Sequence, residues 1–453
     1  MGEPADGALS PIEERRLGAE FMRQIRARLP LVTDALVDEY VQGLGERLAL
    51  ASNRGGQASV RGDDFTFFVI DDPQVNAFAI PGGYVGLYVG LIEAMAREEQ
   101  LAGVVAHEVA HVTQRHHARA FATGQRASMS TAAAILAAIL IGAASPEAGQ
   151  AALAAGLAAS QQRAINFTRA NEVEADRIGI EILANAAYDA DAMAESFSIL
   201  RRKNRLNTAG LELEYLRTHP LDDVRIAEAA SRAAGMPRRP PVPNLDFRLF
   251  KARLAVLTAE DRGELRRALA ASGARGPDAY AAYGLALIAL RDRDLEAARE
   301  HLERLGELAA DHPWTALLEA ELLAAEGDAE AALERLAELD ALYPGRYSIV
   351  EPRLAGLTDA RRLEEAVRVA NRYLRDVESP NPLAWRALAD ARQRLGDPVG
   401  SHEALARYFE ALDEDERAEG QLELALAQVP VASQDELRLR AALAAVRQRL
   451  DRD

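Results

Sequence analysis

Cysteine is absent from the 453-residue chain. Its absence excludes disulfides and thiolate zinc sites, so any zinc ion must be held by histidine, aspartate or glutamate. Aromatic residues make up only 5%, while alanine is frequent and hydrophobic residues reach 49%, a composition that favours packed helices over sheets. The net charge of −17 argues against sequence-independent nucleic-acid binding, so we expect no nucleic-acid partner.

The printed chain also lacks a secretory leader. Residues 1–6 (MGEPAD) contain neither a basic start nor an apolar stretch. A processed chain with a new initiator methionine would look the same. This segment by itself therefore leaves localisation open.

Residues 129–159 are almost wholly apolar or small, with a break at Ser145-Pro146-Glu147. Each apolar arm is shorter than the roughly 20 residues that span a membrane. We expect an apolar helical hairpin here. It either packs on the core or forms a mobile or membrane-facing element near the active site.

Proline marks the expected domain boundary. Residues 235–244 (GMPRRPPVPN) hold four prolines, and proline is strongly disfavoured inside helices. We therefore expect a first domain at 1–235, a proline-rich linker at 236–244 and a second domain at 245–453. Within the first domain, residues 64–70 (DFTFFVI) and 76–89 are typical of strands, so we expect a small sheet among helices.

The second domain contains a repeat. Residues 293–298 (RDLEAA) match residues 327–332 (GDAEAA) at a separation of 34, and Gly396-Asp397 recurs 69 residues after Gly327. A period of 34 with Gly-Asp between helices is typical of tetratricopeptide (TPR) repeats. A generic α-solenoid is the alternative. Either arrangement stacks helix pairs and presents a concave surface to a protein partner.

The motif His107-Glu108-Val109-Ala110-His111 (HExxH) lies in a predicted helix of residues 97–119. Residues i and i+4 share one helix face, so both imidazoles can converge on one zinc ion. Glu108 lies beside the first ligand, where its carboxylate can reach a water on the metal and act as general base. The motif predicts a peptidase that holds one Zn²⁺ per chain.

A second motif, residues 171–176 (NEVEAD), contains candidates for the third metal ligand, which the HExxH motif does not provide. A catalytic zinc site needs three protein ligands and one open position. Glu172 and Asp176 again share a helix face. We predict Glu172 as the third ligand and Asp176 as the acceptor for the far nitrogen of a ligand histidine. Glu174 points to another face and is the weaker candidate.

His219 is the only histidine of the first domain outside the HExxH helix. Three roles stay open for it. It is catalytic and stabilises the oxyanion, it occupies the open zinc position in a latent state, or it is a structural loop residue. We expect His116 and His117 to be exposed or to neighbour the ligands rather than bind the metal.

The segment Asn76-Ala77-Phe78-Ala79 has two interpretations. It is an ordinary core strand, or it is a substrate strand to which a peptide adds through backbone hydrogen bonds.

Four segments, HEVAHVTQRH, NAFAIPGG, NEVEADRIG and THPL, precede the repeats. Together they resemble the family of periplasmic beta-barrel assembly-enhancing proteases of Gram-negative bacteria, and more widely the gluzincins with HExxH and ExxAD motifs. The resemblance implies a mainly α protein. An α+β zincin-type metalloprotease domain with a small sheet would be followed by an α-solenoid of TPR helix pairs.

The resemblance also implies roles for particular residues. It assigns the zinc ligands to His107, His111 and Glu172, and catalysis to Glu108. It implies a His219 that closes the site in a latent state, and it places the 129–159 hairpin near the active site.

Partners and location follow from the same resemblance. It implies a periplasmic zinc metalloendopeptidase with a chaperone-like role, which promotes assembly of outer-membrane β-barrel proteins and degrades misassembled ones. Unfolded or stalled outer-membrane proteins would be its substrates, and the TPR domain would contact them or the barrel-assembly machinery. Peripheral membrane contact is also expected. The alternative is a TPR adaptor or chaperone with a structural or vestigial metal site, against which the intact Glu108 argues.

Overall fold

The structure, a computed structural model, describes residues 9–53, 64–123, 161–206, 213–240 and 243–451. The chain divides into two compact units, Met1–Thr258 and Ala259–Asp453. The expected hairpin at 129–159 lies outside the described residues. Within those residues, no helix combines the length and the apolarity that crossing a membrane requires.

The first unit is a set of helices around a small sheet, as the composition predicted. Its elements are α1 (Pro11–Arg28), α2 (Ala35–Ser52), β1 (Thr66–Ile70), β2 (Ala77–Ile80), β3 (Tyr84–Tyr88), α3 (Val89–Ala94), α4 (Glu98–Thr113), α5 (His116–Thr123), α6 (Gln161–Asn185), α7 (Asp191–Leu206), α8 (Glu214–Thr218), α9 (Asp223–Ala233) and α10 (Leu245–Thr258).

The described strands form one three-stranded sheet in the order β1-β3-β2. Strand β3 is parallel to β1 and antiparallel to β2, so β2 has a partner strand on one side only among the described strands. Gly82 and Gly83 form the turn between β2 and β3, both with positive φ. A Cβ at Gly83 would lie 2.0 Å from Asp64 O, so this turn requires glycine.

Helix α4 carries the HExxH motif through the core of the first unit. Its residues are buried from Glu98 to His111, with only Glu99 half-exposed. Helix α6 packs against it where Gly179 allows a close approach. A Cβ at Gly179 would lie 3.2 Å from His107 N and 2.6 Å from Met193 Cε. This approach brings the NEVEAD segment of α6 beside His107.

Helix α10 belongs to the first unit, whereas the sequence placed it in the second domain. Phe250 stacks on Tyr40 of α2 with ring centroids 4.2 Å apart. Arg253 donates two hydrogen bonds of 2.8 Å to Asp34, which also caps α2. Because these contacts tie α10 to α2, the division falls after Thr258 rather than in the proline-rich segment at 236–244.

The second unit consists of helices that pack in sequential order. They are α11 (Arg262–Gly273), α12 (Ala279–Arg291), α13 (Leu295–Ala309), α14 (Pro313–Ala325), α15 (Ala329–Leu342), α16 (Tyr347–Asp359), α17 (Leu363–Asp376), α18 (Leu383–Leu395), α19 (Pro398–Glu410), α20 (Asp415–Leu426) and α21 (Gln434–Leu450). The predicted α-solenoid of TPR-type helix pairs is confirmed.

The repeated Gly-Asp pairs have a local physical cause. Asp294, Asp328 and Asp397 each cap the N-terminus of the following helix, accepting a backbone N–H three residues on. The residue before two of them is Gly327 or Gly396, with φ of 92° and 80°. Glycine adopts this left-handed conformation without strain, so the pair ends one helix and starts the next.

We predict that Arg253→Ala destabilises the first unit by about 3–5 kcal/mol, since it leaves Asp34 buried without its cation. Both side chains are about one-tenth exposed. Denaturant unfolding followed by circular dichroism measures the change. Arg23→Ala, which removes an exposed ion pair with Glu20 on α1, is the control and should change stability by less than about 1 kcal/mol. Equal effects of the two variants would contradict the role of Arg253.

Candidate metal centre

Four buried side chains from three parts of the first unit converge on one point. Helix α4 contributes His107 and His111, helix α6 contributes Glu172, and His219 lies at the C-terminal end of α8. One donor atom from each lies within 4.8 Å of every other. The structure thus brings together all of the residues that the sequence predicted as metal ligands.

The spacing of these donors suits a metal ion. His107 Nε2 lies 3.0 Å from His111 Nε2 and 3.3 Å from His219 Nδ1. Glu172 oxygens lie 3.4 Å from each of the first two nitrogens and 3.2 Å from His219 Nδ1. Bonds of about 2.1 Å to a tetrahedral zinc ion would separate its ligand atoms by about 3.4 Å. Three nitrogens and a carboxylate at this spacing fit the ion well.

Charges within the cluster favour binding of a cation. Burial opposes ionisation of Glu172, but His219, His111 and His107 lower the pKa of this carboxyl well below its usual value. Burial, together with the neighbouring His107 and His219, lowers the pKa of His111 well below its usual value. The cluster therefore offers an ionised carboxylate and a neutral imidazole, the protonation states that metal binding requires.

Asp176 lies behind the first histidine. Its Oδ1 is 3.0 Å from His107 Nδ1, which leaves Nε2 of the same ring directed at the cluster. Burial lowers the pKa of His107, but Asp176 and Glu172 outweigh it and raise that pKa to about 10. The contact orients the imidazole, and because the raised pKa favours its protonated form, binding of a metal at Nε2 would release a proton.

Arg225 of α9 is a site residue that sequence reasoning missed. Its Nε and Nη2 each donate to Asp176 at 2.8 Å, and its Nη1 lies 3.0 Å from Glu172 Oε2. Burial lowers the pKa of Arg225, but Asp176 and Glu172 outweigh this effect and raise that pKa above its usual value. A lone arginine six residues after His219 gave no signal in the sequence, because its partners lie about 50 residues upstream.

Glu108 is buried beside the donors, and its Oε1 has no hydrogen-bond partner among the described groups. His219 Nε2 lies 3.5 Å from this oxygen. A buried carboxylate oxygen that accepts no hydrogen bond lowers the free energy of unfolding. Such an oxygen suits a group that meets a water or substrate proton during reaction.

Glu174 lies outside the cluster. Its Oε2 is 3.2 Å from His116 Nε2 and also accepts a hydrogen bond from Arg119. His116 is buried, and its Nδ1 lies 3.0 Å from His111 Nδ1. His116 therefore contacts the Nδ1 side of the His111 ring, whereas the Nε2 atom on the other side belongs to the donor cluster. Glu174 lies behind His116.

The residues Asn76, Ala77, Phe78 and Ala79 do not belong to the donor cluster, and all four are buried. Residues 77–79 lie in β2, and Asn76 directly precedes it. The backbone just before them is tied to the site region, since Tyr215 N donates to Val75 O at 3.4 Å. The ring of Tyr215 in turn stacks on His219 at 4.8 Å.

We predict that Arg225→Ala weakens metal binding by about 10- to 100-fold, because Asp176 and Glu172 then lose the cation that holds them in place. Competition with a chelator, on full-length protein checked by circular dichroism, measures the change. Arg177→Ala on α6, which removes only an exposed pair with Glu181, is the matched control. Equal metal affinity in the two variants would show that Arg225 does not position the ligands.

Comparisons with known proteins identify the family of the chain. The model of Peptidase family M48 matches residues 35–233, which include the whole donor cluster. The entire chain is 34% identical to the beta-barrel assembly-enhancing protease of Escherichia coli (strain K12), over 91% of that protein. It is 35% identical to a putative beta-barrel assembly-enhancing protease of Vibrio cholerae, over 88% of this chain and 81% of the relative.

A further similarity covers a smaller part of the chain. The mitochondrial metalloendopeptidase OMA1 of Schizosaccharomyces pombe is 33% identical over 35% of this chain and 43% of its own length. The full-length similarity to the bacterial proteases is the broader one, since it includes the repeats. Residues 35–233 form a peptidase family M48 domain, and the chain belongs to the family of beta-barrel assembly-enhancing proteases.

Proposed function

We propose that this M48 peptidase is a zinc metalloendopeptidase in which His107, His111 and Glu172 hold the ion and Glu108 is the general base. One observation carries the proposal. The buried Glu108 Oε1, which lacks a hydrogen-bond partner among the described groups, lies beside three donors at metal-ligand spacing. A metal site with a purely structural role in a TPR adaptor would not need a buried carboxylate oxygen that is available to accept a proton.

Zinc bound there would supply a Lewis acid that lowers the pKa of water and polarises the scissile carbonyl. The protein supplies the proton transfers. Glu108 accepts the proton of the attacking water at Oε1 and then delivers it to the leaving amine nitrogen. Asp176 and Arg225 hold His107 and Glu172 in place while this occurs.

We infer that His219 is the fourth ligand in a latent state. Its Nδ1 lies among the other three donors, while its Nε2 is directed towards Glu108. Four protein ligands would leave no open position for water, and catalytic zinc sites need one. Departure of His219 would open that position, so that the same residue decides whether the enzyme is active.

The proposed substrate is an extended peptide that pairs with β2. Strand β2 has β3 on one side only among the described strands, and antiparallel addition needs a strand with an unpaired edge. Backbone pairing tolerates many sequences, which suits an enzyme that acts on unfolded chains. Asn76, Ala77, Phe78 and Ala79 are the residues that would receive it.

The names of the bacterial relatives suggest the class of substrate and partner. Following the beta-barrel assembly-enhancing proteases, we propose that this chain acts in the periplasm on unfolded or stalled outer-membrane proteins. It would promote their assembly and degrade those that fail. The TPR unit would bind these proteins or the barrel-assembly machinery, since stacked helix pairs present a broad surface to peptides and proteins. The protein would also contact a membrane peripherally while it acts on these substrates.

We predict about one zinc ion per chain. Glu108→Gln should keep the ion and lose cleavage of an unfolded outer-membrane protein by at least about 100-fold, because the amide cannot accept the proton. Elemental analysis and gel-based proteolysis measure the two quantities. Glu172→Ala should lose the ion, and Glu174→Ala, two residues away and outside the cluster, should keep it. Undiminished cleavage by Glu108→Gln would refute the catalytic assignment.

We predict that His219→Ala raises the rate of proteolysis, because it removes the fourth donor and leaves the open position to water. The initial rate on the same unfolded substrate, at equal zinc content, is the measurement. A lower rate would indicate that His219 stabilises the oxyanion instead. An unchanged rate would favour a structural loop residue and would contradict both functional roles.

A further inference from the structure

The turn after α4 returns the chain to the second histidine of the HExxH motif. In a continuous helix, His116 would lie about 140° around the axis from His111 and could not face it. Helix α4 instead ends at Thr113, and Arg115 adopts a left-handed φ of 51°. This turn brings His116, the first residue of α5, against the ring of His111, with the two Nδ1 atoms 3.0 Å apart.

Contacts from the start of the described chain hold this turn. A side chain disfavours the left-handed backbone conformation, so Arg115 needs stabilising contacts. Its Nη2 donates to Leu9 O at 2.7 Å and to Glu14 Oε1 at 2.8 Å, and its Nε donates to the same Glu14 oxygen at 3.0 Å. These bonds fix Arg115 and therefore the turn from which His116 projects.

A chain of hydrogen bonds leads from His111 through His116 to Glu174. Glu174 Oε2 accepts a hydrogen bond from Arg119 and lies 3.2 Å from His116 Nε2. An ionised carboxylate only accepts hydrogen bonds, so His116 Nε2 carries a proton. His116 is buried, and burial favours the neutral ring, which has a single N–H. The lone pair on His116 Nδ1 is then available to accept a hydrogen bond from His111 Nδ1.

These proton positions are the ones that metal binding at His111 requires. Its Nε2 belongs to the donor cluster, 3.0 Å from His107 Nε2. A neutral imidazole whose Nε2 lone pair is available for a metal carries its proton on Nδ1. The other tautomer would direct an N–H at the remaining donors and would leave no lone pair for the metal.

We propose that His116 and Glu174 position His111 for metal binding, because they fix its ring orientation and the tautomer whose Nε2 is available. Asp176 contacts Nδ1 of His107 directly, whereas the carboxylate of Glu174 acts on His111 through a second imidazole. Neither His116 nor Glu174 supplies a donor to the cluster, so both are positioning residues. This inference rests on the proposed function, in which His111 is a zinc ligand.

Two substitutions separate the two contacts of His116. His116→Asn places an amide oxygen where Nδ1 lies, so it keeps an acceptor for His111 and loses the contact with Glu174. His116→Gln places an amide N–H where Nε2 lies, so it keeps the contact with Glu174 and loses the acceptor. The Kd for zinc is measured on full-length protein by competition with a chromophoric chelator, and circular dichroism checks the fold.

We expect His116→Gln to raise the Kd for zinc by about 10- to 100-fold, the range for partners of metal ligands. His116→Asn should stay close to the parent. A role in packing alone predicts no such difference between the two amides.

Glu174→Ala should raise the Kd by about 10-fold and still bind the ion at saturating zinc, because His116 can then carry its proton on either nitrogen. In the His116→Asn background, the same substitution should have no further effect, since an amide oxygen has no second tautomer. Glu181→Ala, which removes an exposed carboxylate of α6 that pairs with Arg177, is the matched control.

Three results would overturn the inference. They are parent-like affinity in His116→Gln, an equal loss in both amide variants, and parent-like affinity in Glu174→Ala. The last decides the matter if the variants at His116 fail to fold. His111→Ala tests the proposed function separately, since undiminished zinc affinity in that variant would refute the ligand set itself. Loss of zinc there, with unaffected His116 and Glu174 variants, would leave the ligand set and remove only the positioning role.

Discussion

The close approach of α4 and α6 at Gly179 is the contact on which the site depends. With no side chain at that position, α6 lies near enough to His107 N for Glu172 to reach both HExxH histidines and for Asp176 to reach His107 from behind. A Cβ there would lie 3.2 Å from His107 N, so α6 would have to move away from α4 by a few tenths of an ångström. Arg225 then closes the arrangement by neutralising the two carboxylates that the contact brings together.

Local spacing explains why much of the site could be predicted from the sequence. His107 with His111, and Glu172 with Asp176, are pairs at i and i+4, and a helix places such pairs on one face whatever surrounds it. The capping aspartates of the repeats are local in the same way, since each acts within three residues. Features of this kind are encoded in short segments, so they can be predicted without knowledge of the tertiary fold.

The features that the sequence did not reveal are long-range. Arg225 acts on carboxylates about 50 residues away. The predicted domain boundary differs from the division between the two compact units for a similar reason. The described residues 237–240 and 243–244 of the proline-rich segment lie outside helices and strands, but the stacking of Phe250 on Tyr40 makes α10 part of the first unit. Composition can show where a helix ends, but not against which surface the next one packs.

The donors differ in how firmly the fold holds them. His107 and His111 lie on a helix that is buried along nearly its whole length, so moving them would disrupt the core. His219 lies at the C-terminal end of a helix of only five residues. In the proposed latent state, release of the fourth donor would require movement of this short segment alone, while the three donors on α4 and α6 would keep their places.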